Sequence, residues 1–380
     1  MRSRTLYLKG AVLLALAAIP AMTLARDYRA PGTLGKGAQV HHFVLRDPAS
    51  GDVMPETRYR LFLPGHRIAG IAPQSQEQDS VIFGITDKRG NTVSVRLPKR
   101  YARSKWILNP IVGDGNFGEA FSMRDSLRGQ PLPGMPYVLD LKDGYLFCSK
   151  SDSRGDTYYA QSHEARTLSL DYALGALEPA DYAWCKREAD TIAAMPADAG
   201  PAAVFRQMLA SYAADSETLG ADFQARIRRK LIDLSIASRD SRQLDLALGL
   251  APLEQDQLNG VGYALADANW MVERALPLID EALAHAPDDP YILDSKGWAL
   301  FRLGQSEQAL GYINQSLAAF GEGTEGNLSA RVESLVHKGE VLWQLQRQNE
   351  AREAFAAASD LAPDHETLLQ TLARLHVELS

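Results

Sequence analysis

Between residues 258 and 363 one pattern of small and apolar residues recurs three times, and no other feature of this 380-residue chain restricts its fold so tightly. The first copy carries Gly262, Ala275, Ile279 and Ala282 and ends in Ala-Pro-Asp-Asp around Pro287. The second has Leu293, Gly297, Ala309, Ile313 and Ser316. The third has Leu335, Gly339, Leu342, Ala351, Phe355, Ala358 and Pro363. Gly262 and Gly297 lie 35 residues apart, as do Pro252 and Pro287, so the register runs back into a degenerate copy that ends at Pro252. Gly297 and Gly339 lie 42 apart, and the Gly-rich stretch 321–327 accounts for the surplus as a lengthened turn. Small residues belong where two helices cross closely, larger apolar side chains fill the seam beside them, and proline ends the second helix. The spacing predicts antiparallel helix pairs stacked into an α-solenoid.

Two antiparallel helices per roughly 34 residues, with these markers, resemble tetratricopeptide (TPR) repeats. Four positions depart from that pattern. Lys296 and Lys338 stand where an aliphatic residue is usual, Ser316 replaces a small apolar residue, and Pro277 falls inside a second helix. Lysine can bury its stem while its head stays wet, and a proline in the first turns bends a helix without ending it. Residues 364–380 read as a capping helix with Leu368, Leu369, Leu372, Leu375 and Val377 on a helical period. The resemblance implies a concave groove lined by the first helix of each repeat. Counted from the glycine markers, its lining is Asn259, Tyr263, Ala266 and Asp267, then Tyr291, Asp294, Trp298, Phe301 and Arg302, then Glu333, Val336, Glu340, Trp343 and Gln344. Aromatic rings interspersed with charges suit the capture of a protein or peptide partner. Trp298 and Trp343 have a second reading, as rings packed into the core between helices.

The N-terminal end is of another kind. Arg2, Arg4 and Lys9 precede an apolar run from Ala11 to Ile19, Pro20 breaks it, and Thr23-Leu24-Ala25 offers small residues at a cleavage position. Residues 1–25 read as a secretory signal peptide, since 11–25 is too short for the roughly 20 apolar residues that span a bilayer. The expected location is therefore periplasmic or secreted, with no stable membrane insertion after cleavage. The chain has a net charge of −7, and without the three cations of 1–25 it stands at −10. So acidic a chain lacks the basic field that nucleic acid or an anionic lipid surface needs, and neither is expected as a partner.

Residues 26–160 read as a β domain of short apolar runs broken by Gly, Pro, Asp and Asn. Thr86-Asp87-Lys88-Arg89-Gly90-Asn91-Thr92 recurs 65 residues later as Ser151-Asp152-Ser153-Arg154-Gly155-Asp156-Thr157. Aspartate accepts from amides two residues on and glycine supplies the left-handed conformation, so each copy marks a hairpin tip. Upstream, Tyr59-Arg60-Leu61-Phe62-Leu63 matches Tyr137-Val138-Leu139-Asp140-Leu141, with about 13 extra residues before the first turn. Two tandem small β-sandwich modules are inferred. They resemble the transthyretin-like or immunoglobulin-like modules of bacterial exported proteins, including some attached to type VI secretion spikes and effectors. The Arg154-Gly155-Asp156 tripeptide is explained by the turn alone. His41 and His42, adjacent on a strand, point to opposite faces and do not form a metal pair. Cys148 is expected in a strand and Cys185 in a helix. They either bridge, if that helix packs on the sheet, or serve as two small buried apolar residues.

Residues 161–257 read as a helical linker with a degenerate repeat, with helices over 180–193, 202–213 and 223–236, a hinge at 196–201 and a polar break at 238–241. The chain has no Gly-x-Ser-x-Gly elbow, no His-Glu-x-x-His pair, no phosphate-cradling loop and no Cys-x-x-Cys. The expectation is an exported, non-catalytic interaction protein with no cofactor or metal, an envelope scaffold or an effector-neutralising adaptor, whose TPR groove binds a protein. The alternative is an exported envelope hydrolase with TPR repeats as accessory, drawing on Asp140, Asp143 or Glu164.

Overall fold

The computed structural model describes residues 28–379 apart from 72–78, 114, 116, 126–128, 142–143, 145, 163–167, 172–176, 197–198 and 321–326. Residues 1–25, expected as a leader, Asp143, Glu164 and nearly all of the Gly-rich stretch 321–327 lie outside the described residues. The chain divides into two compact units whose boundary falls between Ser238 and Arg239. The range 161–257 thus spans the divide.

The first unit holds β1 (Thr33–Gly35), β2 (Gln39–His41), β3 (Arg58–Phe62), β4 (Ile82–Ile85), β5 (Ser94–Leu97), β6 (Ile107–Gly113), β7 (Phe117–Glu119), β8 (Pro136–Leu141), β9 (Leu146–Lys150), β10 (Tyr159–Ser162) and β11 (Leu168–Asp171). The sheets run β1-β5-β2, β4-β3-β6-β10-β7 and β11-β8-β9. Phe43, Leu45, Tyr59, Leu61, Ile82, Val95 and Trp106 form one core, to which β3 and β4 contribute from one sheet and β5 from another.

The pairing is duplicated residue by residue. Thr33 pairs with Ser94 as Ile111 pairs with Tyr159; Gln39 pairs with Leu97 as Phe117 pairs with Ser162; Arg58 pairs with Ile85 as Pro136 pairs with Lys150. The first partner of each pair moves by 78 positions and the second by 65, and the difference is the 13-residue surplus before the first turn. Strand β6 belongs to both copies. Its residues 107–110 pair antiparallel with β3 and its residues 111–113 pair parallel with β10, so the modules share a strand and a sheet.

The turns repeat as well. The Asp87 carboxylate accepts from the amides of Arg89 and Asn91, and that of Asp152 accepts from Arg154 and Asp156, all at 2.8–2.9 Å. Gly90 and Gly155 take φ of 74° and 79° to close them. The Tyr59 hydroxyl accepts from the Val93 amide at 2.8 Å and the Tyr137 hydroxyl from the Tyr158 amide at 3.0 Å. Burial pushes the Tyr59 phenol up to about 12 and Tyr137 higher still. The duplication also reaches further upstream than Tyr59. Phe43-x-Leu45-Arg46-Asp47-x-x-x-Gly51 matches Phe121-x-Met123-Arg124-Asp125-x-x-x-Gly129. In each, the arginine donates to the glycine carbonyl, at 3.0 and 3.2 Å. His41 is buried against Trp106, whereas His42 is exposed and bonded to the Ser94 hydroxyl.

Part of the stretch expected to be helical is strand. Leu168-Ser169-Leu170-Asp171 alternates with the period of two that a strand needs, and pairs with β8. Helices α1 (Pro179–Ala193), α2 (Pro201–Asp215) and α3 (Ala221–Ser238) follow in the same unit. Cys185 of α1 is disulfide-bonded to Cys148 of β9, which decides between the two readings of the cysteines. Closing a loop across a sequence separation of 37 removes chain entropy from the unfolded state. Cys148→Ser with Cys185→Ser is therefore expected to cost the first unit about 3–4 kcal/mol. A reductant should lower the denaturation midpoint of the parent and leave the double variant unmoved.

The second unit begins with α4 (Ser241–Gly249), N-capped by Asp240, whose carboxylate accepts from the amides of Arg242 and Gln243. Three helix pairs follow: α5 (Gln255–Asp267) with α6 (Val272–His285), α7 (Pro290–Arg302) with α8 (Ser306–Ala319), and α9 (Leu328–Gln344) with α10 (Gln348–Leu361). The marker glycines sit at the crossings. A Cβ on Gly297 would stand 2.5 Å from Ile313 Cγ1, and one on Gly262 2.5 Å from Ile279 Cγ1. The departures are absorbed locally. Helix α6 continues through Pro277, Lys296 reaches Asp280 at 2.8 Å with its ammonium over the Tyr312 ring, and the buried Ser316 hydroxyl donates to the Pro290 carbonyl. The capping helix α11 (Glu366–Leu375) is shorter than 364–380, because His376 turns left-handed at φ 54° and ends it. Leu368 is buried, but Leu369 is exposed.

Candidate functional site

Positions four apart on a helix share a face, so Asn259, Tyr263 and Asp267 line one side of α5. Thirty-five residues on, Asp294, Trp298 and Arg302 line the same side of α7. Helix α9 brings up a residue the sequence reading passed over. His337 is buried, its Nδ1 lies 2.9 Å from Asp294 Oδ2, and its ring stacks on Trp298 with centroids 4.0 Å apart and planes at 18°. Tyr263 lies beyond it at 6.3 Å, Phe301 stacks on Trp298 at 5.2 Å, and the Arg302 guanidinium stands 4.4 Å over the Trp298 ring. Helices α5, α7 and α9 thus converge on one cluster of rings and charges.

Its electrostatics are set by carboxylates. Burial pulls the His337 imidazole down, but the Asp294 charge and hydrogen bond, with Glu333 and Glu340, hold it above its usual value of 6.5. Since the folded value is raised, the proton on His337 stabilises the fold fully below the unfolded value, and that contribution is lost as pH rises through the folded one. Burial pushes the Tyr263 phenol strongly up, and the charges of Asp267, Glu333 and Asp294 push it further while Arg302 opposes them.

Four polar atoms of the cluster are buried without a hydrogen-bond partner: Asn259 Oδ1, Asp294 Oδ1, Trp298 Nε1 and Arg302 Nε. Two are acceptors and two are donors. Buried polar groups are ordinarily paired, so this concentration marks a face that is incomplete on its own.

The structure brings Tyr263, Asp294, Trp298, Phe301 and Arg302 together, with Asn259 and Asp267 on the adjoining turns of α5. Trp298 is 3% exposed, so it is the packed centre of the cluster and not an open groove wall. Tyr291, Glu340 and Trp343 have other partners. The Tyr291 hydroxyl donates to Asn327 Oδ1 at 2.7 Å, and its ring meets Phe320 edge-on. Glu340 is held by Arg374 at 2.5 Å and by the Thr371 hydroxyl at 3.0 Å, both on α11. Trp343 packs half-buried on the last core with Arg352 5.5 Å over its ring. Of the carboxylates named for hydrolysis, Asp140 is bonded to the buried ammonium of Lys230. Among the described residues no three His, Cys, Asp or Glu gather in a metal-binding group, and no helix is long and apolar enough to cross a membrane.

Comparison with known proteins bears on the helical unit. The tetratricopeptide repeat model matches residues 332–365, which are most of α9 and all of α10. A TPR repeat-containing protein of Pseudomonas aeruginosa is 35% identical over 94 residues, 25% of this chain and 15% of that protein, so the chain matches only a small part of its curated relative. Among solved structures, MamA from Desulfovibrio magneticus RS-1 is similar at 16% identity, over 50% of this chain and 99% of that one, with a TM-score of 0.35. YrrB, described as a TPR protein with an unusual peptide-binding site, is similar at 16% identity over 46% and 84%, with a TM-score of 0.31. With Gly262, Gly297 and Gly339 each at a helix crossing and the family model lying on α9 and α10, the helix pairs of the second unit are tetratricopeptide repeats, and the chain is a TPR-repeat protein.

Proposed function

We propose that this is an exported, non-catalytic adaptor whose TPR face holds a protein or peptide partner in the periplasm or outside the cell. The observation that carries it is the convergence of Tyr263, Trp298, Phe301 and Arg302 with polar atoms left unmet on α5 and α7. Rings and guanidinium groups are the side chains that dominate recognition energies, and unmet donors and acceptors are what a bound main chain supplies. Export is supported by the leader pattern of 1–25 and by the Cys148–Cys185 disulfide, a bond that persists in oxidising compartments. The duplicated β modules, with their likeness to modules carried by secretion spikes and effectors, would supply a second binding surface or the means of attachment. An adaptor that scaffolds envelope enzymes and one that neutralises an effector both fit this arrangement, and the identity of the captured protein separates them.

The test is affinity capture by the full chain from a lysate of its own envelope, with Tyr263→Ala and Phe301→Ala introduced together. A hot-spot pair of this kind is expected to weaken capture by about tenfold or more while the helical circular dichroism stays unchanged. Undiminished capture by the variant would remove the groove from the function.

A further inference from the structure

We propose that the centre of the TPR face receives a cationic side chain, an arginine or lysine of an extended peptide, seated beside the half-buried Tyr263 with its charge on Asp294. The proposal rests on the groove reading above and goes beyond it by fixing the chemistry of the ligand.

Three independent observations point to a cation. The first is charge. Asp267, Asp294 and Glu333 all act on the Tyr263 phenol, and Arg302 alone opposes them. Glu340 is already neutralised by Arg374. Against Arg302 and a protonated His337 these three carboxylates still leave the centre negative by one charge, which disfavours an acidic peptide and favours a basic one. The second is an unmet acceptor. Asp294 is 8% exposed, its Oδ2 is taken by His337, and its Oδ1 has no partner. A buried carboxylate oxygen left bare is costly, and an N–H of a cationic side chain removes that cost with a charge-assisted bond. The third is the ring of Tyr263, which is half-buried, whereas Trp298 is closed by His337, Phe301 and Arg302, and cations are drawn to aromatic π-faces. The remaining unmet atoms suit the peptide main chain around such a residue: Trp298 Nε1 and Arg302 Nε donate to a carbonyl, and Asn259 Oδ1 accepts from an amide.

Binding is linked to protonation. The groups facing His337 are Asp294 on α7, Glu333 and Glu340 on its own helix, the Trp298 ring, and the Tyr263 ring on α5. A protonated His337 competes with the ligand for Asp294. A cation therefore binds more tightly as pH rises through the raised value of His337, the opposite of the trend for an anionic ligand.

The experiment titrates the full chain with acetyl-hexaarginine amide, and separately with hexaglutamate, following tryptophan fluorescence at constant ionic strength between about pH 6 and pH 9. Hexaarginine is expected to bind and hexaglutamate not. Asp294→Asn should weaken hexaarginine by about tenfold or more, against less than about twofold for Asp360→Asn on the exposed side of α10. The rise of affinity with pH should flatten in His337→Gln. If Asp294→Asn fails to fold by circular dichroism, Glu333→Gln, half-buried and outside the core, carries the test with an expected loss of about threefold. Equal losses in Asp294→Asn and Asp360→Asn, or preference for hexaglutamate, overturn the proposal. If hexaarginine misses the site while partner capture still depends on Tyr263 and Phe301, the groove reading stands and the cationic ligand falls. If hexaarginine binds through Asp294 while capture ignores Tyr263 and Phe301, the groove reading is the one that fails.

Discussion

Asp140→Ala is expected to destabilise the first unit by about 3 kcal/mol, because it removes a carboxylate paired with the buried ammonium of Lys230. The Lys230 side chain is 1% exposed and that of Asp140 27%, so the carboxylate is the rim of the pair and the ammonium its buried end. The Leu141 carbonyl, 3.0 Å from Nζ, remains as an acceptor after the substitution and the charge of Asp233 still acts on Lys230, and both limit the loss. Asp233 on the same helix is pushed up by burial and further by Asp140, so removing Asp140 eases its ionisation and also moderates the effect. Pairing Asp140→Ala with Lys230→Met should restore most of the stability, since a buried ion pair replaced by apolar groups of similar volume is often neutral. Urea denaturation of the single and double variants measures both numbers. The result also bears on the hydrolase alternative. A catalytic Asp140 predicts a variant of unchanged stability with lost activity, whereas the salt bridge to Lys230 predicts a stability defect that the second substitution repairs.

The helix pairs were legible in the sequence because close helix crossings tolerate few residue types. Gly262, Gly297 and Gly339 each sit where a Cβ would collide with a neighbour, so their spacing records the fold directly. The cluster on α5, α7 and α9 was legible only in part. A 35-residue step carries Tyr263 onto Trp298 and Asp267 onto Arg302, both at the cluster. The next step is 42 residues, and it carries Asp294 onto Val336, a fully buried core residue, one position short of His337. A shift of one position turns the helix by about 100°, which is enough to exchange groove for core. The β half shows a different limit. Its turns and tyrosines could be read because Asp87, Gly90 and Tyr59 have chemical roles that few other residues can fill. Sharing of β6 between modules was hidden, since residues on its two halves serve different neighbours while the sequence runs on as a single apolar strand. The Arg46 and Arg124 turns were hidden too, because only the Phe-x-x-Arg-Asp spacing signals them and the residues between differ.

The second unit should lose about 3–5 kcal/mol on Phe355→Ala, a truncation that leaves a ring-sized void in a fully buried core. Phe355 packs between α9 and α10 with Val336, Leu342 and Ala351, and the gap cannot be closed by flexible loops since every neighbour is held in a helix. Its ring also explains Gly339. A Cβ there would stand 2.2 Å from Phe355 Cε1, so Gly339→Ala is expected to cost about 1–3 kcal/mol by overpacking, even though alanine in a helix interior is ordinarily favoured by about 1 kcal/mol. The two defects are opposite in kind, one too much volume and one too little at a single contact. Combined, Gly339→Ala with Phe355→Ala should cost less than the sum of the single variants, because the added methyl enters the space the ring has left and the helix-propensity gain is then realised. Thermal and denaturant unfolding of the four proteins gives the coupling. Strict additivity would mean that the glycine is not required by the ring, and with it would go the argument that the Gly262, Gly297 and Gly339 register reports helix crossings.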